Sequence, residues 1–220
     1  MSIITSFIDF ILNLDKKLGL WIIAFGPVVY FILFFIIMAE TGLVVAPFLP
    51  GDSLLFAAGT FAAVGSLNVI VLFVSLSIAA ILGDTINYWV GKKIGPKVFK
   101  YKDSKIFKRE YLDKTHKFYE KYGSKTIVLA RFVPIVRTFA PFIAGIGKMS
   151  YLKFLTYNVV GGILWVGLFV FGGYFVGNIP WVNSHFTWVI LIIIIVSFMP
   201  MLIDLWKYYR NKNQTKNKPL

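Results

Sequence analysis

Four apolar runs set the limits on what this chain can fold into. Residues 20–39, 68–91, 151–176 and 186–206 are each long enough to cross the hydrocarbon core of a bilayer as a helix. With 58% hydrophobic residues and a mean hydropathy of +0.75, the 220-residue chain lies well above the ~45–50% apolar content of a soluble domain. The charges sit between the runs. Lys and Arg number 23 against 10 Asp and Glu, a formal net charge of +13. Twelve of the basic residues fall within 92–125 and five within 207–218. Lys16 and Lys17 precede the first run, and Lys148 and Lys153 flank a short junction. Only Arg131 and Arg137 lie elsewhere. Basic clusters alternating with apolar runs are the pattern of a polytopic membrane protein that keeps its positive loops inside.

This pattern excludes other classes. A soluble nucleic-acid binder matches the charge but not the apolar content. A disordered basic tail does not carry 22 Phe, 11 Tyr and 6 Trp. The absence of cysteine removes disulfides, thiol catalysis and thiolate metal sites. Residues 1–18 show a helical stripe too short to span, read as an interfacial helix on the cytoplasmic side. They do not read as a signal peptide, because a basic start is missing and Asp9 interrupts the apolar stretch.

Two further apolar segments do not suit simple spanning helices. Residues 41–65 contain Pro47, Pro50, Gly51 and Asp52; residues 127–147 contain Arg131, Pro134, Arg137 and Pro141. Proline removes a backbone donor and clashes with the preceding turn. Broken backbone at membrane depth is tolerated only where protein or a wet cavity surrounds it. Both segments are therefore expected to be re-entrant hairpins, with these prolines and Gly51 as the breakers. Placing 92–125 in the cytoplasm makes the first hairpin open outward and the second inward, and it puts both termini and the 207–220 tail inside. The expected fold is an all-α polytopic membrane protein, a single membrane domain of two inverted halves. Each half has a re-entrant hairpin plus spanning helices. Inverted repeats with broken helices are a recurrent transporter design.

Five ionisable residues fall inside the apolar segments: Glu40, Asp52, Asp84, Arg131 and Arg137. Each costs roughly 2.5–3.5 kcal/mol at the bilayer centre if left alone. They must pair, touch water or change protonation. One reading makes them ion pairs that fix the hairpins; but buried pairs stabilise less than apolar packing. The other makes them a site. Arginine offers a planar fork of donors suited to phosphate, and carboxyl groups in a low-dielectric cavity can exchange protons. On this reading Arg131 and Arg137 bind the substrate phosphate, and Glu40 and Asp52 gate it and couple it to protons. Asp84, divided evenly between structure and function, is expected to pair with Asn87 one helical turn away. Asn158, beside Gly161 and Gly162, is read as helix-packing glue. In the cytoplasmic loop Tyr111, Thr115, Phe118 and Tyr122 recur at helical spacing beside Lys114, Lys117 and Lys121, as in a basic helix lying on an anionic leaflet. His116 and His185 read as surface and interface residues.

Enzymatic chemistry finds little support. The two histidines are expected on opposite sides of the membrane, and neither a phosphate-binding glycine loop nor a pair of closely spaced aspartates in one span is present. No cofactor, metal or nucleic acid is expected. The partners are membrane lipids, especially anionic lipid phosphates, and protons. An intramembrane lipid phosphatase and a structural or insertase-like protein of the envelope remain as alternatives to a transporter.

Several stretches resemble the DedA family of bacterial inner-membrane proteins. They are Glu40–Val44 with Pro47–Phe56, Gly83-Asp84 with Asn87-Tyr88, Tyr111–His116, and Ala130–Pro141 on to Ala144-Gly145. The similarity covers nearly the whole chain. It implies two re-entrant hairpins, a fold shared with eukaryotic lipid scramblases, and movement of lipids between leaflets. For several bacterial members that lipid is undecaprenyl phosphate, and the family is linked to the proton motive force and envelope stress. The resemblance also implies that Glu40, Asp52, Arg131 and Arg137 are the required charged positions.

Overall fold

The computed structural model describes residues 26–43, 51–98 and 109–185, together with 188, 189 and 192. All regular structure among the described residues is helical. The interfacial helix at 1–18, Pro47, Pro50 and the tail lie outside them, as does nearly all of the 186–206 run. The helices are α1 (Val28–Gly42), α2 (Gly51–Ala63), α3 (Val69–Val98), α4 (Arg109–Tyr122), α5 (Thr126–Ala130), α6 (Pro134–Ile146), α7 (Tyr151–Gly177) and α8 (Pro180–Ser184). A single 3₁₀ turn, Gly123–Lys125, joins α4 to α5.

Among the described residues two helices are long and apolar enough to cross a membrane, α3 and α7. Their outward faces carry large apolar side chains at helical spacing: Ile70, Val74, Ile78, Leu82, Ile86 and Trp89 on α3, and Val160, Ile163, Leu164 and Leu168 on α7. Phe31, Ile32, Phe35 and Ile36 do the same on α1, whose opposite face buries Leu33, Ile37, Glu40 and Thr41. Apolar surface of this extent belongs against lipid. Helix α7 ends within one residue of the expected span. Helix α3 does not stop at residue 91 but runs to Val98. Lys92 and Lys93 mark the edge of the apolar run, not the end of the helix, because lysine is a good helix former. Gly26, at φ +43°, and Pro27 open α1, as a fresh helix start requires.

Helices α2 and α6 have 13 residues each and reach about 20 Å, short of the ~30 Å hydrocarbon core. The second apolar segment is interrupted at 131–133, where Val133 is extended, and Pro134 then opens α6. Pro141 is not a breaker: α6 continues through it. Donors from neighbouring helices serve carbonyls of the turn around it, Asn87 Nδ2 reaching Thr138 O at 2.8 Å and the Tyr119 hydroxyl reaching Ala140 O at 2.9 Å. Pro141 itself takes away only the helical donor to the Arg137 carbonyl one turn back.

Each short helix packs backbone to backbone on a long one. A Cβ on Gly59 of α2 would strike the Val170 carbonyl of α7, and one on Gly173 of α7 would strike the Phe56 carbonyl of α2. A Cβ on Gly145 of α6 would strike the Tyr88 carbonyl of α3, and one on Gly91 of α3 the Phe142 carbonyl of α6. The spacings coincide: Phe56–Gly59 matches Phe142–Gly145, and Val170–Gly173 matches Tyr88–Gly91. Only glycine allows so close an approach.

Two apolar clusters form the interior. One joins Leu33, Ile37, Leu55, Leu72, Leu76 and Trp165; the other joins Tyr88, Ile127, Val136, Ala140 and Phe154. Along α3 the first cluster ends at Ala80 and the second begins at Tyr88, and Asp84 and Asn87 occupy the gap. Helix α4 lends its apolar face to the second cluster. Thr115 is buried, Phe118 and Tyr119 pack on the cluster, and Thr126 Oγ1 donates to Phe118 O at 3.1 Å. Thr115 and Phe118, on the face expected to lie on the leaflet, are thus turned to the protein interior. His116 is exposed, 3.6 Å from Glu120, and His185 stacks on Trp181.

Candidate functional site

The buried charges collect between the two clusters. Glu40 stands in the last turn of α1 and is 1% exposed. Its Oε1 accepts from the Gly51 N–H at 3.2 Å, so the two ends of the segment between α1 and α2 are held together. Glycine is required at position 51, since a Cβ there would overlap the Glu40 carboxylate. Arg137, one turn into α6, places one Nη on Glu40 and the other on Asp52 Oδ1 at 2.7 Å. The same Oδ1 accepts from the Trp165 indole N–H at 2.9 Å. Arg137 therefore ties α6 to both α1 and α2, and Trp165 adds α7.

Arg131 caps α5 and makes the second group. Its Nη2 donates to Asp84 Oδ2 and to Asn158 Oδ1, both at 2.6 Å. Asn158 Nδ2 donates onward to Ile81 O at 3.0 Å. Gly161 and Gly162 make room for the guanidinium: Cβ atoms there would lie 3.1 Å from Arg131 Nε and 3.5 Å from Nη2. The Trp165 ring lies between the groups, its centroid 5.0 Å from the Arg137 guanidinium carbon and 5.8 Å from that of Arg131. A desolvated cation over an indole face is worth about 2 kcal/mol.

The structure thus gathers all five intramembrane charges, with Asn158, around one tryptophan. Asn158 acts as the expected helix glue, though it also orients Arg131. Asn87 does not pair with Asp84. Its Nδ2 reaches the carbonyls of Thr41 at 3.3 Å and Thr138 at 2.8 Å, linking α1 to α6. The reason is that Asp84 turns toward Arg131, the stronger partner. Trp165 was not singled out from the sequence, although Asn158, Gly161, Gly162 and Trp165 share one helical face and are all buried.

The groups differ in access and in completeness. Arg131 and Asp84 side chains are 2% and 4% exposed, whereas that of Asp52 is 44% exposed. Arg131 Nε and Nη1 and Arg137 Nε are buried and have no hydrogen-bond partner among the described residues. Unused donors of this kind are costly in a low-dielectric interior, and the acceptors Glu40 Oε2 and Asn87 Oδ1 are likewise buried without a partner among the described residues. Among the described residues no group of three or more His, Cys, Asp or Glu could hold a metal ion.

The family model of the VTT domain matches residues 49–175, which contain Asp52, Asp84, Arg131, Arg137 and Trp165. Protein DedA of Escherichia coli is 54% identical over 212 residues, 96% of this chain and 97% of the relative. An uncharacterized membrane protein of Mycobacterium leprae is 46% identical over 84% of this chain and 83% of its own length. The inner membrane protein YqjA of Escherichia coli is 34% identical over 69% of each. No solved structure matches. A VTT domain across most of the chain and near full-length similarity to protein DedA establish that this membrane protein belongs to the DedA family.

Proposed function

We propose that this protein is a proton-linked lipid flippase or scramblase, moving an anionic lipid such as undecaprenyl phosphate or a phospholipid between leaflets. One observation carries the reading: two arginines with uncommitted buried N–H groups stand at the interruption of the second apolar segment and one turn beyond it. Arg131 and Arg137 would hold the phosphate through those donors. Glu40 and Asp52, which share Arg137, would gate the site and exchange protons as it fills and empties. Asp84, Asn158 and Asn87 hold the arginines and the helix ends in place. No covalent chemistry is needed, so the role is transport rather than catalysis.

In this reading the segments 41–65 and 127–147 are two re-entrant hairpins in inverted halves. Support comes from the reciprocal glycine contacts, in which the short helix of each half lies on the long helix of the other with the same residue spacing. The basic stretches set the orientation, with 92–125 and both termini in the cytoplasm. The name of YqjA points to the inner membrane, and we place this chain there.

Reconstituted in liposomes, the protein should accelerate headgroup translocation of a labelled lipid phosphate, and a pH gradient should alter the rate. Wild-type rates in Arg131→Ala and Arg137→Ala proteins would refute the site. Release of inorganic phosphate from the lipid would favour a phosphatase instead.

A further inference from the structure

We infer that Asp52 is a resident competitor of the transported anion: its carboxylate occupies the seat on Arg137 that a lipid phosphate takes during transport, and Trp165 holds it there. The inference rests on the proposed lipid-phosphate function and concerns how its site is kept closed.

The two acids on Arg137 are not equivalent. Glu40 is enclosed, and it also receives the Gly51 N–H, so it is a fixed wall of the site. Asp52 is the partner with 44% of its side chain exposed, on the first turn of α2. Its exposed side is the one by which it can leave Arg137. Its Oδ1 takes donors from Arg137 Nη1 and Trp165 Nε1 together. A phosphate oxygen in that position would meet the same two donors. Arg137 Nε is buried with no partner among the described residues, and a phosphate has further oxygens to offer it. In the Arg131–Asp84 pair the acid is only 4% exposed, so it is not the member that swings aside.

Charge points the same way. Three carboxylates and two guanidiniums already leave the site formally at −1. A phosphate entering on top of these would concentrate like charge in a low dielectric. Swinging Asp52 out removes one negative charge and vacates the donors at once. The binding-competent state is then the minor one, and apparent affinity is reduced by its population.

The test is binding of a fifteen-carbon isoprenyl monophosphate to the purified full-length protein in detergent, with the matching isoprenyl alcohol and inorganic phosphate as controls. If the open state is populated at roughly 0.1–10%, Asp52→Asn tightens binding of the isoprenyl phosphate by about tenfold or more. Asp52→Ser removes the carboxylate and keeps both donors, so it tightens binding to a similar degree. Asp52→Ser also decides the matter if Asp52→Asn fails to fold. Unchanged or weaker binding in the folded variants, with the wild type still preferring phosphate to alcohol, overturns the competitor and leaves the proposed function standing. Equal binding of phosphate and alcohol by wild type and variants overturns both. Isoprenyl phosphate binding no tighter than inorganic phosphate assigns the seat to free phosphate and overturns the lipid reading.

Discussion

Replacing Arg131 by methionine isolates the most enclosed interaction in the molecule. The substitution strips Asp84 of its counter-ion and Asn158 Oδ1 of its donor, at a place where the pair is 2% and 4% exposed. Breaking a buried pair from one side costs about 3–5 kcal/mol, because the remaining charge is left uncompensated. In a chain of this size each kcal/mol lowers the melting temperature by about 2–4 °C, so the expected drop is roughly 6–20 °C. Asp84→Leu combined with Arg131→Met removes both charges and should recover most of that loss, since apolar replacements of buried pairs are often neutral or better. With each single variant at that cost and the double near neutral, the cycle of the two single variants and the double variant yields a coupling of about 5–10 kcal/mol. Heating detergent-solubilised protein and following the monodisperse fraction by size-exclusion chromatography measures it. A drop of less than about 3 °C for Arg131→Met, or a double variant no better than the worse single one, would refute the assignment of a buried pair. The double variant should remain inactive in lipid translocation. Wild-type transport by it would confine Arg131 to a structural role.

Other outcomes follow from the same geometry. Arg137→Lys keeps the charge but cannot span Glu40 and Asp52 together, so one charge-assisted bond of about 1.5–3 kcal/mol is lost; a fall of about 10- to 100-fold in translocation is expected. Gly145→Ala and Gly59→Ala each drive a methyl into a facing backbone carbonyl and should cost about 1–3 kcal/mol by the same thermal assay, while Gly172→Ala, whose Cβ meets only the Phe56 ring at 3.8 Å, should be near neutral. The absence of cysteine makes labelling direct: Val64→Cys and Lys153→Cys should react with a membrane-impermeant thiol reagent from opposite sides. Same-side labelling would reject the proposed topology.

What could be read from the sequence was local. The apolar run of α7 ends where its helix ends, and five charges in apolar segments announced a buried site. Which charges meet was not legible, because Arg137 reaches partners 85 and 97 residues away. Asn87 shows why helical spacing misled. Asp84 lies one turn behind it, but an arginine from α5 offers Asp84 a stronger bond, and Asn87 is left to serve two backbone carbonyls. Pro141 misled because one missing helical donor does not end a helix that α3 and α4 pack against. Trp165 sat unnoticed because an indole within an apolar run gives no local sign that its N–H is committed.

The apolar outer stripe of α3 has an electrical consequence. From Ile70 to Trp89 it covers 19 residue steps, about 29 Å, which matches the hydrocarbon core with little tilt. Lys92 folds its ammonium 4.7 Å from the Trp89 ring centroid, as at a membrane–water boundary. Asp84 then lies about 7 Å from the middle of the stripe, toward the Lys92 end. With that end in the cytoplasm, the Arg131–Asp84 pair stands some three quarters of the way through the transmembrane field as seen from outside. An anion reaching that depth from the outer leaflet climbs roughly 1.7 kcal/mol per charge for every 100 mV, negative inside. Under the proposed function, entry of the lipid anion from outside is opposed by the resting potential unless a positive charge travels with it, and a voltage dependence of about three quarters of an elementary charge is the expected signature.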